Sequence, residues 1–249
     1  MESMKKIAMI TGANKGIGFA TARRLAEQGM TVLLASRNRE RGERAAAQLR
    51  EDGLDAIALE LDVADDASIE RAAARVSDDF GRLDVLVNNA GIYESTTPTT
   101  TTRAVLRDLF ETNVFGVVSV TNAMLPLLQK SEAARIVNVS SEVASLTTIT
   151  DPAGPLYDMD DMAYQASKAA VNMLTVMYSK ALRESGIKVN AAIPGYVKTD
   201  FNGNTGDISA MEGASASVAL ALLGDDGPTG QYQGILIGKP AGELSVAPW

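Results

Sequence analysis

The chain has 249 residues, 46% of them hydrophobic, enough for one well-buried α/β domain and short for two independent ones. Its 23 basic and 31 acidic residues leave a formal charge of −8, which argues against a general nucleic-acid surface. With no His and no Cys, a Ser-His-Asp triad, a cysteine nucleophile and the usual zinc ligand sets are excluded, so proton chemistry falls to Tyr, Lys and carboxylates.

Met1 to Lys6 carries no long apolar stretch and reads as a short tail entering a first strand, Ile7 to Thr11. The run Thr11-Gly12-Ala13-Asn14-Lys15-Gly16-Ile17-Gly18 follows and opens a helix reaching Gln28. Missing side chains permit a tight turn and close approach of a pyrophosphate to the positive end of that helix. Taken alone, G-x3-G-x-G is as good a sign of an ordinary strand-to-helix turn. The second strand, Thr31 to Ser36, runs into Arg37 with no acidic residue where an NAD enzyme sets one against the ribose hydroxyls. Arg37, helped by Lys15, suits a 2′-phosphate, whereas Arg39 and Arg41 fit better as the solvated edge of a helix from Arg39 to Glu51.

Strands at Ala56 to Leu61, Val85 to Asn88, Arg135 to Ser140 and Lys188 to Ile193 alternate with helices at Ala67 to Phe80, Arg103 to Gln129 and Met162 to Ser185. That alternation specifies a parallel sheet covered on both faces. A small-residue helix from Ser209 to Leu223 leads to a final strand, Gly234 to Gly238. The fold class is α/β: a single Rossmann-type, doubly wound domain over residues 1–249 with a mostly seven-stranded parallel sheet, ordered 3-2-1-4-5-6-7. No segment approaches a membrane span, which favours the cytoplasm. Ser95 to Thr102 reads as a loop into the next helix, capped by Thr101 or Thr102. The irregular stretches Thr147 to Asp161 and Tyr196 to Asp207 are natural substrate walls and a lid.

Tyr164 and Lys168 stand four residues apart in the first turns of a helix whose inward face is Ala170, Val171, Leu174, Met177, Tyr178 and Ala181. The spacing puts phenol and ammonium on one face. A phenol ordinarily titrates near about 10, and a charge about 4 Å away at an effective dielectric of about 20 is worth roughly 4 kcal/mol. That would draw the phenol toward working pH. A lone Tyr-x-x-x-Lys is more often a solvated helix face, so the reading depends on its company.

The company is extensive. Thr-Gly-x-x-x-Gly-x-Gly at Thr11 to Gly18, Asp62-Val63 after the third strand, Asn88-Asn89-Ala90-Gly91 after the fourth and Asn113 in the long helix occur in order. Ser141 after the fifth strand, Tyr164-x-x-x-Lys168 and Pro194-Gly195 after the sixth complete the set. With these the chain resembles the short-chain dehydrogenase/reductase family over nearly its whole length. The interval between Ser141 and Tyr164 is longer than in much of that family, the excess falling around Thr147 to Asp161. This insertion, the Thr-Gly-Ala-Asn-Lys-Gly-Ile-Gly start and Gly227-Pro228-Thr229-Gly230-Gln231 resemble the carbonyl reductase branch.

The resemblance implies an NADP(H)-dependent oxidoreductase that reduces an aldehyde, ketone or quinone, with Asn113, Ser141, Tyr164 and Lys168 catalytic. Tyr164 would give a proton to the carbonyl oxygen while hydride arrives from the nicotinamide. Lys168 would hold the nicotinamide ribose and favour the phenolate, Asn113 would hold a relay water, and Ser141 would polarise the carbonyl. From the residues alone, Ser140 is a rival to Ser141. Cofactor contacts are expected from Gly12, Asn14, Lys15, Gly16, Ile17, Gly18 and Arg37, with Asp62 at the adenine edge beside Val63. Asn89, Ala90 and Gly91 would border the cofactor, and Pro194, Gly195, Val197 and Thr199 would meet its carboxamide or pyrophosphate. The alternatives are an alcohol dehydrogenase, a double-bond reductase, or a non-catalytic NADP(H)-sensing regulator. The expected partner is a small-molecule carbonyl or alcohol, with neither nucleic acid, membrane nor metal. The resemblance favours a homodimer or homotetramer through the long helices.

Overall fold

Successive residues of a strand face opposite sides of a sheet, and the first strands of this chain are apolar on both. The computed structural model describes residues 5–240 and 242–249, so the expected tail over Met1 to Met4 lies outside the described residues. Strands β1 (Ile7–Thr11), β2 (Thr31–Ser36), β3 (Ala56–Glu60), β4 (Val85–Asn88), β5 (Arg135–Val139) and β6 (Lys188–Ile193) pair in parallel, in the order β3-β2-β1-β4-β5-β6. The sheet continues through β7 (Tyr232–Ile235) and ends on β8 (Leu244–Val246).

Two apolar layers sandwich it. Ala8, Ile10, Val32 and Leu34 pack with Leu25 of α1 (Gly16–Glu27) and Leu49 of α2 (Arg39–Glu51). On the other face Met9, Leu33 and Leu86 pack with Ile69 and Val76 of α3 (Asp66–Phe80). Asn38, Asp65 and Thr102 cap the helices that follow them, each accepting a backbone N–H with its side chain. Thr102 is thus the cap of α4 (Arg103–Phe110), while the Thr101 hydroxyl donates back to Thr97 O at 2.7 Å.

The sequence expectation differs from the structure at its ends and in its longest helix. The segment expected as one helix from Arg103 to Gln129 is α4, a π-helical turn at Glu111–Phe115, and α5 (Gly116–Leu128). The wider turn surrounds Asn113, whose side chain is pulled into bonds outside the helix, a setting in which π-bulges recur. The seventh strand sits earlier than Gly234 to Gly238, because Gly238 turns at φ +81° and the Ile237 N–H leaves the ladder for a side chain. Strand β8 pairs antiparallel with β7, an eighth member too short and too exposed to announce itself by pattern. After β5 come α6 (Leu146–Ile149) and α7 (Met162–Ala181), and the last helical stretch is split into α8 (Ala210–Gly213) and α9 (Ser215–Ala221). Among the described residues no helix is long and apolar enough to cross a membrane.

Candidate active site

The carboxyl ends of β1, β4, β5 and β6 open into a cavity of about 1050 Å³, where parallel sheets of this order leave a crevice. Its floor is tied by the side chains of Thr11 and Asn89 to neighbouring main chain. Thr11 Oγ1 accepts from the N–H groups of Asn89 at 3.0 Å and Ala90 at 2.9 Å, and Asn89 Nδ2 donates to Thr11 O at 2.8 Å. Gly12 turns at φ +64°, and a Cβ there would stand 3.0 Å from Ala90 Cα. A Cβ on Gly18 would meet Asn89 Nδ2 at 2.5 Å and Gly12 O at 2.7 Å, so only glycine lets the loop close on α1. Unlike α2, α3 and α4, helix α1 has no capping side chain. Its first-turn N–H groups open on the cavity through Gly16, Ile17 and Gly18.

Positive charge gathers at one end. Ser36 Oγ donates to Asn38 O at 3.1 Å and to Asn14 Oδ1 at 3.3 Å, fixing the turn that carries Arg37 to the rim. Arg41 lines the cavity with it, whereas Arg39 does not, and both are exposed as expected of a solvated edge. Asn38 caps α2 by accepting from Arg41 N–H at 2.9 Å. Lys15 forms an ion pair with Asp200 at 3.1 Å, tying the glycine loop to the segment after β6, and its hydrogen bond and charge hold that carboxyl below its ordinary range. Thr199 lies beside Gly16, and Val197 bridges to Ile208. Asp62 and Val63 line the wall after β3, with Asp62 Oδ1 accepting from Ala64 N–H at 3.1 Å.

At the other end stands Tyr164, in the first turn of α7. Its ring packs edge-on against Tyr93 at 5.2 Å and against Phe201 at 5.8 Å. The Ser141 hydroxyl donates toward the phenol. Burial nevertheless pushes the phenol up to about 12, against the pull of Ser141 and with a push from Tyr93 and Asp161. Lys168 shares the helix face, its Nζ 5.8 Å from the ring centroid, but it donates to Val139 O at 2.8 Å and is not among the groups that move the phenol. The downward shift expected from the spacing of four is therefore reversed, because burial outweighs an ammonium already engaged by a carbonyl. Burial also lowers Lys168 to about 8.

Of the two serines, Ser140 is fully enclosed and donates to Asn172 Oδ1 at 2.6 Å, while Ser141 is the one at the phenol. Asn113 does not line the cavity. Its Oδ1 accepts from Ile92 N–H at 2.8 Å, and its Nδ2 donates to Ile92 O and to Ser167 Oγ, each at 3.0 Å. It sits behind Gly91, where a Cβ would approach Asn113 Oδ1 at 3.3 Å and Lys168 Nζ at 3.6 Å. The remaining residues singled out in the sequence, Asn14, Gly91, Pro194 and Gly195 included, border this one cavity.

Sequence reasoning missed Tyr93 and Glu142 on its lining, and it did not single out Asp161 and Phe201 within the stretches Thr147 to Asp161 and Tyr196 to Asp207 expected as its walls and lid. Asp161 precedes α7 without capping it and instead accepts from Tyr93 Oη at 3.0 Å and Ser95 Oγ at 2.8 Å. Their signal was proximity: Tyr93 follows Asn88 to Gly91, Glu142 follows Ser141, and Phe201 follows Thr199. Within the expected insertion, Pro155, Leu156 and Met159 also reach the cavity.

The family model for short chain dehydrogenases matches residues 6–209. The short-chain dehydrogenase anuI of Penicillium roqueforti is 40% identical over 230 residues, covering 88% of this chain and 90% of that protein. Carbonyl reductase [NADPH] 1 of Bos taurus is 35% identical over 270 residues, covering 93% and 97%. The crystal structure of NADPH-bound carbonyl reductase from chicken fatty liver superposes with a TM-score of 0.84 at 28% identity, covering 98% of this chain and 99% of that one.

Proposed function

Because this chain belongs to the short-chain dehydrogenase family, we propose that it is an NADP(H)-dependent oxidoreductase reducing the carbonyl of an aldehyde, ketone or quinone to an alcohol. The observation that carries the reading is the convergence of the Ser141 hydroxyl and the Tyr164 phenol, with Lys168 one turn on, in the cavity that also holds the glycine loop. The bovine relative and the chicken structure, named for NADPH or bound to it, support the cofactor.

The residues fit that cofactor. Gly12 and Gly18 leave backbone where a pyrophosphate needs close approach, and the uncapped first turn of α1 offers it N–H groups. Arg37 and Arg41 suit the 2′-phosphate. When bound, the nicotinamide supplies the hydride to the carbonyl carbon. Tyr164, kept neutral by its raised pKa, gives its proton to the carbonyl oxygen, and the Ser141 hydroxyl polarises that oxygen. Lys168, anchored on Val139 O, would hold the nicotinamide ribose. Asn113 acts as a positioning residue, fixing the main chain of Ile92 beside Gly91, with the relay water assigned to its surroundings. Continuity of the sheet supports one domain over residues 1–249, with loops near 147–161 and 196–207 forming its substrate side.

The test is loss of NADPH absorbance against a panel of aldehydes, ketones and quinones, with cofactor affinity measured on the same preparation. Turnover with NADPH preferred over NADH is expected. A folded protein that binds NADPH yet turns over no carbonyl would instead favour the cofactor-sensing alternative.

A further inference from the structure

Immediately after Ser141, the three-residue turn Glu142–Ala144 carries a carboxylate into the cavity wall. Glu142 is only 9% exposed. Its Oε2 accepts from Ile237 N–H at 2.8 Å, and among the described residues no other donor reaches the carboxylate. The contrast with Asp161 is direct, since both oxygens of that carboxylate are engaged by Tyr93 and Ser95. Burial pushes Glu142 up from the ordinary carboxylate range, with the Ile237 bond pulling the other way.

The orientation of this carboxylate is built rather than incidental. Ile237 lies past the end of β7, and its N–H serves Glu142 in place of a strand neighbour. Tyr232 of β7, fully buried, donates its hydroxyl to the main-chain carbonyl of Ser141. The same edge of the sheet thus fixes both Ser141 and Glu142. Glu142 is the chain neighbour of Ser141, with adjacent Cα atoms about 3.8 Å apart, and both residues line the same cavity.

We propose that Glu142 is a specificity-determining residue that accepts a hydrogen bond from a hydroxyl carried near the reacting carbonyl, selecting hydroxy ketones and hydroxy aldehydes with an apolar body. The inference rests on the carbonyl-reductase reading. An apolar body matches the walls given by Val143, Leu156, Met159 and Phe201. A hydroxyl matches better than an ammonium, because it bonds the carboxylate without desolvating a second charge against those walls. A substrate lacking the hydroxyl would cover this carboxylate and leave it without a partner, and sites made to bond a hydroxyl discriminate strongly against such analogues for that reason.

The experiment uses two shape-matched pairs with NADPH: 2-hydroxyacetophenone against propiophenone, and 3′-hydroxyacetophenone against 3′-methylacetophenone. The readout is the kcat/KM ratio within each pair, compared between wild type, Glu142→Gln and Glu142→Met, so that intrinsic reactivity cancels. The expected result is a fall of about tenfold or more in the hydroxyl preference of at least one pair in Glu142→Met, carried mainly by KM, with a smaller fall in the near-isosteric Glu142→Gln. Loss of a merely structural tie would depress both members of a pair alike. Unchanged ratios for both pairs in both variants would overturn the proposal. If wild type turns over no carbonyl of the wider panel, the carbonyl-reductase reading fails and takes this inference with it, whereas turnover of other carbonyls but of neither pair, or reduction without selectivity, defeats the inference alone.

Discussion

The glycine loop between β1 and α1 and the segment from α6 to α7 border the same cavity but are held by different means. The first combines polar side chains with glycine geometry: the Thr11 hydroxyl accepts from the Asn89 and Ala90 N–H groups, the Asn89 amide donates to Thr11 O, and Gly12 and Gly18 make the approach sterically possible. The second is tethered by side chains to partners distant in sequence. Asp161 accepts from Tyr93 and Ser95, and Thr147 Oγ1 donates to Trp249 O at 3.0 Å. A close approach that only glycine permits leaves a local signature, whereas a polar tether can be drawn from many pairs.

The junction of the two regions gives the largest expected effect. Tyr164→Phe keeps the ring against Tyr93 and Phe201 but removes the proton donor, so kcat should fall by about 10²- to 10⁴-fold. NADPH affinity, measured by titration of the folded variant, should hold. Turnover close to wild type would sink the assigned chemistry.

On the cofactor side alone, Arg37→Asp should move the kcat/KM preference from NADPH toward NADH by about 10- to 100-fold, the worth of one or two charge-assisted bonds. Arg41→Ala should give a smaller shift in the same direction, and Lys15 less again because Asp200 already neutralises part of its charge. The ketone KM at saturating cofactor should stay near the wild-type value. An unchanged cofactor ratio in Arg37→Asp and in the Lys15/Arg37 double variant would mean that the phosphate sits elsewhere.

Lys168 offers a test by pH. Its folded-state pKa of about 8 lies below the ordinary 10.5, so folding releases a proton between those values and stability rises with pH across that window. Below pH 8 the ammonium is charged in both states and the folded protein bears the full cost of burying it. Lys168→Met carries no such cost, so its stability relative to wild type should decline by on the order of 2 kcal/mol as pH rises from about 7 to about 10. Urea midpoints of the two proteins without cofactor would measure this, and a pH-independent difference would show that the ammonium is not desolvated as the structure has it.

These contrasts explain what the sequence made legible. The alternation of strands and helices follows from hydrophobic period and the turn into α1 from glycine spacing, both local, whereas the strand order and most of the cofactor-side residues are what the family resemblance implies. Ser141 could not be separated from Ser140 by pattern, because the choice depends on Asn172 lying across from β5. The sign of the Tyr164 shift was also out of reach, since spacing gives the distance along a helix but not the burial of a phenol by Tyr93 and Phe201. Arg41 is exposed as the charge pattern suggested, and pattern gave no sign that it also borders the cavity.

The smallest expected effect probes the substrate side. The Asp161 charge contributes to the raised pKa of Tyr164 and also of Tyr93, whose first cause is burial. Asp161→Asn keeps an acceptor for one of the two hydroxyls but removes the charge, so Tyr93 and Ser95 are held less firmly and the ketone KM should rise a few-fold, about what one weakened hydrogen bond is worth. NADPH affinity should not follow, because no cofactor-side residue bonds Asp161 among the described residues. The sign of the pH effect is fixed as well. Taking a negative charge from beside the phenol favours phenolate, so the alkaline limb of kcat, where the proton donor is lost, should move to lower pH. A variant with raised KM but an unmoved alkaline limb would confine Asp161 to tethering Tyr93, and a variant with altered NADPH affinity would break the separation between the two sides of the cavity.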